Sequence, residues 1–279
     1  MRTLVSAVAT VLAVLLAAVA VPAIWLDRTI VQEDGFVQLA APLGKDAEFQ
    51  QRLATAAVGT IDTSGVPGIV AGVVEPVLEA AATSLTSLPG FPAAWQETLQ
   101  RSHRLSFAPS TDAAGGTALT LDVAPLVGLA TEEVSRAVGL SLDAPSETLI
   151  TVGKPQQKEW TEQLTTYAPA GYLLAIGAGI ALLLALVAAR RRRTVLAAAG
   201  IGALIIAALW ALAVGMGSAM VLNTETGNEL GNLFRDEFVP AAATSFQGWA
   251  GITAVVGGVL LVGAIVAGVS SRLRARPNR

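Results

Sequence analysis

Cysteine is absent from this 279-residue chain and histidine occurs once, at His103. Without cysteine there is no disulfide framework, thiolate nucleophile, thiolate metal site or cysteine-linked lipid. The absence does not fix a compartment, because a domain of sufficient size folds without disulfides. Phosphate loops, dinucleotide fingerprints and a nucleophile elbow are missing as well, and Gly177-Ala178-Gly179 falls inside an apolar run. Charge is scarce, at 14% against 53% hydrophobic residues, which fits a membrane protein better than an ordinary globular domain.

What charge there is avoids four long runs: Thr3 to Leu26, Ala168 to Ala189, Thr194 to Leu222 and Trp249 to Ser271. About 20 apolar residues at ~1.5 Å rise each cross a ~30 Å hydrocarbon core, so all four qualify as spans. The third, at 29 residues, has length to spare and must tilt or protrude. No run contains Asp, Glu, Lys, Arg or His, the residues that mark proton and ion pathways, which disfavours a transporter or channel.

Arg190 to Arg193 are four consecutive arginines between the second and third runs. With Arg2, Arg272, Arg274, Arg276 and Arg279 they make nine of the 18 basic residues, and none of the 21 acids shares those segments. Short basic loops stay cytoplasmic, so both termini are expected inside and the remaining segments outside. Those outer segments carry nine basic residues against 21 acidic ones, a formal charge of −12. An acidic exterior makes nucleic acid an improbable partner.

The expected organisation is therefore a membrane protein of four transmembrane α-helices (3–26, 168–189, 194–222, 249–271). A mainly helical α+β extracytoplasmic domain with a small sheet occupies 27–167, a cytoplasmic turn 190–193, an outer loop 223–248 and a cytoplasmic tail 272–279. The first run leaves two readings open. Ala18-Val19-Ala20 offers an A-x-A pattern for signal peptidase, whereas the 24-residue length and Trp25 at the outer interface favour a retained anchor.

Within 27–167, Asp46 precedes Phe49, Leu53, Ala57 and Ile61 at helical spacing. A second helical stretch carries Val70 to Leu85, divided or kinked by Pro76. A third aligns Phe91, Trp95, Leu99 and His103 on one stripe. Thr117 to Val123 alternates after Gly115-Gly116, with Leu119, Leu121 and Val123 on one face and Thr120 and Asp122 on the other. A helix follows from Pro125 to about Leu140, then a short strand at Thr148 to Val152. Strand, helix, strand points to a small sheet with a crossover. A last helix from Pro155 runs toward the second span, with Pro169 as a kink.

In the outer loop, Leu230, Leu233, Phe234 and Phe238 share a helical face that either lies on the bilayer or packs on the protein's own domain. Trp25 and Trp249, with Trp160 and Trp210 nearby, fit an aromatic belt. Small residues repeat every four positions at Ala199, Ala203, Ala207, Ala211, Gly215 and Ala219. Gly171, Ala175 and Gly179, and Ala250, Ala254 and Gly258, do the same. Such ridges let helix backbones approach closely; bundle packing is the main expectation and a homo-oligomer the alternative.

The stretch Trp25-Leu26-Asp27-Arg28-Thr29-Ile30-Val31, with Phe36-Val37 and Ala41-Pro42-Leu43, resembles the opening of a family of actinobacterial integral membrane proteins of uncharacterised function. Phe91-Pro92-Ala93-Ala94-Trp95, Ser102-His103-Arg104, Leu119 to Val127 and the arginine run continue the resemblance over nearly the whole chain. It implies a four-span architecture in a cell envelope and carries no activity or ligand with it. One departure is Asp46-Ala47, where the family pattern has Asp-Pro, and it bears on the start of the first domain helix.

Candidate chemistry is sparse. His103 has the chemistry of a general base, although on a stripe with Trp95 and Leu99 a structural hydrogen bond is the expected role. Asp62-Thr63-Ser64-Gly65 resembles an aspartic-protease loop, but that chemistry needs two carboxylates sharing a proton and the chain has no second copy. Glu33-Asp34 and Glu132-Glu133 could supply oxygen ligands to calcium, yet no loop has a dedicated spacing, and solvated helix faces explain such pairs. No catalytic, cofactor or metal residue is therefore nominated. The expected function is a non-enzymatic cell-envelope protein presenting a ligand- or partner-binding domain, with the bilayer and an envelope protein or lipid as partners. The alternative is an envelope-acting hydrolase or transferase using external carboxylates; a sensor is weakened by the short cytoplasmic segments.

Overall fold

The computed structural model describes residues 1–59, 87–107, 120–139, 143–151, 155–224 and 229–274. In chain order its elements are α1 (Arg2–Leu26), a π-helical turn (Asp27–Val31), α2 (Glu33–Ala40), a 3-10 turn (Ala41–Lys45), α3 (Ala47–Gly59), α4 (Phe91–Phe107) and β1 (Thr120–Asp122). There follow α5 (Ala124–Val138), β2 (Leu149–Thr151), α6 (Pro155–Tyr167), α7 (Ala170–Ala188), α8 (Arg192–Leu222) and α9 (Glu229–Arg274). They form two compact units: Met1–Asp27, Thr166–Met220 and Ala242–Arg279 make the first, and Arg28–Thr165 with Val221–Ala241 the second. Four helices are long and apolar enough to cross a membrane.

In the first unit, α1 and α7 run antiparallel along each other. The Ser6 hydroxyl near the start of α1 donates to the Ala185 carbonyl near the end of α7, at 3.0 Å. At the opposite ends, a Cβ placed on Gly171 would lie 2.8 Å from the Cβ of Ala23. α8 and α9 are likewise antiparallel, with Arg193 beside Gly268 and Gly200 against Gly257. Gly202 of α8 receives the Val14 side chain of α1. Small residues such as Ala13, Ala20, Ala181, Ala185 and Ala199 face inward, while Leu15, Leu173, Leu183 and Val262 face outward. This is the pattern of helices immersed in hydrocarbon, where large apolar side chains gain nothing by leaving the lipid and close backbone packing drives association.

The small-residue ridges are only partly used. Ala199, Gly200 and Ala207 are buried on α8, but Ala211 and Gly215 are exposed. On α7 Gly171 is buried while Gly179 has open space beside it, and on α9 Gly257 rather than Gly258 makes the close approach. The reason is geometric: each four-residue step overshoots a full turn by about 40°, so a ridge of six residues winds off any one neighbour.

Three boundaries differ from expectation. α1 does not stop at Leu26 but continues through the π-helical turn to Val31. The arginine turn is shorter, since Arg192 already opens α8. In place of the expected loop from 223 and separate span at 249, one 46-residue helix runs from Glu229, Pro240 included. Hydropathy marks where lipid begins, not where a helix begins, and Ala241-Ala242-Ala243 continue the helix readily after the proline. The break before the second span does fall at Ala168-Pro169, with Pro169 as the N-cap of α7.

Trp25 packs inward. It is buried, its indole N–H donates to the Ser245 hydroxyl at 3.2 Å, and its ring meets Phe246 edge-on at 5.1 Å. Phe246 in turn packs edge-on against Trp210, 5.8 Å away. The three rings pack among the helices, which offers a partner for the indole N–H that hydrocarbon does not.

The second unit is built on α4. Phe91, Trp95, Leu99 and His103 are all buried, as the stripe predicts, and Trp95 meets Phe49 of α3 edge-on at 5.3 Å. Asp46 caps α3, its Oδ1 accepting from the Phe49 N–H at 2.8 Å, so the helix begins at Ala47. Leu121, Val123, Leu126 and Val127 close the core from the other side. Leu233, Phe234 and Phe238 of α9 also pack on it, which decides the amphipathic segment in favour of the protein's own domain.

β1 and β2 are adjacent and antiparallel, with Thr120 opposite Thr151, Leu121 opposite Ile150 and Asp122 opposite Leu149. This overturns the crossover reading. The Val123 N–H donates to the Thr148 carbonyl at 2.9 Å, so the chain after α5 returns beside the point where β1 ended and must run back along it. α5 ends at Gly139, whose φ of +68° lies in the left-handed region that glycine enters freely. The expected helix at 70–85, the Asp62–Gly65 loop, Gly115-Gly116, Thr117 to Leu119 and Val152 lie outside the described residues.

Candidate functional site

The sole histidine sits where α4 meets the turn that follows α1. His103 Nε2 lies 3.0 Å from the Ile30 carbonyl oxygen, one of the carbonyls left open where the π-helical turn gives way to extended backbone at Gln32. Its ring stacks on Phe107 at 4.3 Å and meets Phe36 at 5.1 Å, and Phe36 continues to Phe238. Burial among these rings lowers the His103 pKa, opposed by the hydrogen bond to Ile30 and by the Glu33 carboxylate. The neutral ring donating from Nε2 satisfies this geometry.

One turn away lies a second polar cluster that the strand pattern does not announce. Asp122 is buried, whereas strict alternation puts it on the face away from Leu121. Its Oδ1 accepts from the Ala124 and Thr148 N–H groups, both at 3.0 Å, tying the start of α5 to the approach of β2. Arg101 Nη1 stands 3.7 Å from Oδ2 and reaches the Ser146 carbonyl at 3.2 Å. Pairing with Glu97 and with Asp122 outweighs burial and raises the Arg101 pKa. The Ser102 hydroxyl accepts from the Asp122 N–H at 2.9 Å and donates to the Thr98 carbonyl at 2.6 Å. The readable signal was Asp-Val-Ala-Pro, a short acceptor two residues before a helix start.

Serine, histidine and aspartate are thus neighbours in space without forming a catalytic relay. Ser102 and His103 point about 100° apart around α4, and the histidine faces Ile30 rather than the serine hydroxyl. The carboxylate pairs weighed for calcium are engaged elsewhere: Glu33 lies 3.9 Å from Arg104, Glu133 binds Arg136, and Glu132 and Asp34 are exposed. Among the described residues no group of three or more His, Asp or Glu could hold a metal ion.

The first unit offers an apolar cavity of about 310 Å³ bordered by Val14, Ala18, Ala203, Trp210, Thr253 and Val256. Thr253 spends its hydroxyl on the Trp249 carbonyl at 3.0 Å, so the cavity presents no free side-chain hydroxyl from this residue. At one bundle end the helices gather Arg2, Arg190 to Arg193, Arg272 and Arg274, since Ser6 meets Ala185 and Arg193 meets Gly268 there. At the other, the Tyr172 hydroxyl donates to the buried Asp27 carboxylate at 3.1 Å.

No family model, curated protein or solved structure matches this chain.

Proposed function

We propose that this chain is a non-enzymatic integral membrane protein of a cell envelope, presenting its second unit outside the membrane as a ligand- or partner-binding domain. The observation that carries the reading is the use made of the domain's buried titratable groups. His103 and Asp122 both hold backbone of their own unit. Reactive groups poised for substrate are arranged otherwise, with a base facing an open site.

Orientation follows from charge. The arginines that share one bundle end stay in the cytoplasm, both termini with them, while every acidic residue lies between Asp27 and Glu237, on the segments between the first and second and the third and fourth spans. The resemblance to actinobacterial envelope proteins agrees with this assignment.

The cysteine-free background makes the test direct. Glu132→Cys and Arg191→Cys are each labelled in intact cells by a membrane-impermeant thiol reagent. Labelling at 132 but not at 191 supports the orientation, and crosslinking from 132 to an envelope protein or lipid supports the binding role. The opposite labelling pattern inverts the protein and ends the reading.

A further inference from the structure

At the arginine-bearing end of the bundle, α8 and α9 leave a groove of about 400 Å³ between them. Ala197, Ala264, Ile265 and Gly268 line it, with Arg193 and Thr194 at its head. Arg193 differs from the three arginines before it. Arg190, Arg191 and Arg192 are exposed, whereas Arg193 is partly buried, its Nη1 and Cδ lying 3.4 and 4.0 Å from where a Cβ would stand on Gly268. It lies against the second helix at Gly268, where a Cβ would stand at van der Waals distance from it.

Among the described residues no carboxylate pairs with this guanidinium. Every acid in the chain falls between Asp27 and Glu237, so no acidic residue adjoins Arg193 or Gly268 in sequence. A partly desolvated guanidinium without a counter-charge favours an anion that can take two of its N–H donors, which a phosphate does. Directly below, the walls carry no charged or amide side chain, and both helices are apolar enough to cross a membrane. One class of molecule has a phosphate above and an apolar chain below.

We propose that the groove binds an anionic phospholipid, with its phosphate on Arg193 and the Thr194 hydroxyl and one acyl chain along Ala197 and Ala264. Basic pockets between spans are suited to anionic head groups. The inference rests on the span assignment and is independent of what the second unit binds.

The test uses the full chain purified in mild detergent, with phosphatidylglycerol and phosphatidylcholine added separately and the bound lipid counted by native mass spectrometry. The wild type retains one phosphatidylglycerol in preference to phosphatidylcholine. Arg193→Gln lowers that retention at least about fivefold, while Arg191→Gln leaves it unchanged. Gly268→Leu, which keeps every arginine but fills the slot, also abolishes retention. Equal retention of the two lipids, equal loss in both arginine variants, retention by the Gly268 variant, or displacement by millimolar inorganic phosphate each overturns the proposal. Should Arg193→Gln fail to fold, the Gly268 variant and the two-lipid comparison decide it.

Discussion

Gly200 and Gly257 face each other where α8 crosses α9. A Cβ on Gly200 would lie 2.6 Å from the Gly257 carbonyl oxygen, and one on Gly257 would lie 2.9 Å from the Gly200 carbonyl oxygen. Both distances are to backbone, which cannot rotate aside as a side chain would. Gly200→Ala is therefore expected to push the helices apart and cost about 1–3 kcal/mol, read as a lowered midpoint of thermal unfolding in detergent. Gly258→Ala, one position along with open space beside it, is the control and is expected to change nothing.

Asp122 separates a carboxylate's charge from its geometry. Asp122→Ala leaves the Ala124 and Thr148 N–H groups without their acceptor and is expected to destabilise the second unit by on the order of 2–4 kcal/mol. Asp122→Asn keeps an acceptor oxygen at Oδ1 and recovers most of that loss. Chemical denaturation followed by tryptophan fluorescence checks the pair, since Trp95 lies in the same core. Equal losses would mean that charge opposite Arg101, not the two backbone bonds, matters.

His103 gives the second unit a pH dependence. Its pKa is lowered in the folded state, so the unfolded chain binds the extra proton first as pH falls. Stability is full above the ordinary histidine value of about 6.5 and declines as pH drops below it toward the folded value. Glu33 is the charged group that acts on the ring, its own carboxylate lies 3.9 Å from Arg104, and carboxylates in general titrate lower. Unfolding midpoints measured from pH 7.5 to 5.5 are expected to fall for the wild type and to stay nearly flat for His103→Gln. A wild-type slope that persists in the variant would assign the effect elsewhere.

Gly35 faces the Arg28 carbonyl, against which a Cβ has no room. The chain doubles back there, because the π-helical turn ends at Val31 and α2 starts afresh at Glu33. Gly35→Ala is expected to cost more than the ~1 kcal/mol that alanine normally contributes to a helix over glycine, reversing the usual sign. Limited proteolysis of the variant, with faster cleavage within 28–40 than in the wild type, is the readout.

Much of this was legible from local pattern. The α4 stripe of Phe91, Trp95, Leu99 and His103 is buried as its spacing predicts, and Asp46 caps the helix it precedes. Four apolar helices stand where the charge-free runs lie. The burial of Asp122 was not legible because alternation says which residues share a face of a strand, not what covers the other face. The packing of Trp25 on Phe246 was not legible because an indole at an interface and an indole packed among helices have the same sequence neighbours.

The sequence by itself determined which segments are apolar enough to cross a membrane, how its charge divides and which helix faces are apolar. These are properties of short segments, set by solvation and by helical spacing. Tertiary structure alone decided that β1 and β2 pair antiparallel, that α9 runs unbroken from Glu229, that Asp122 is held among backbone donors, and that Gly200 and Gly257 meet instead of the glycines beside them. Each depends on which distant segment becomes the neighbour, and that choice is made by packing among parts of the chain that carry no mark of one another.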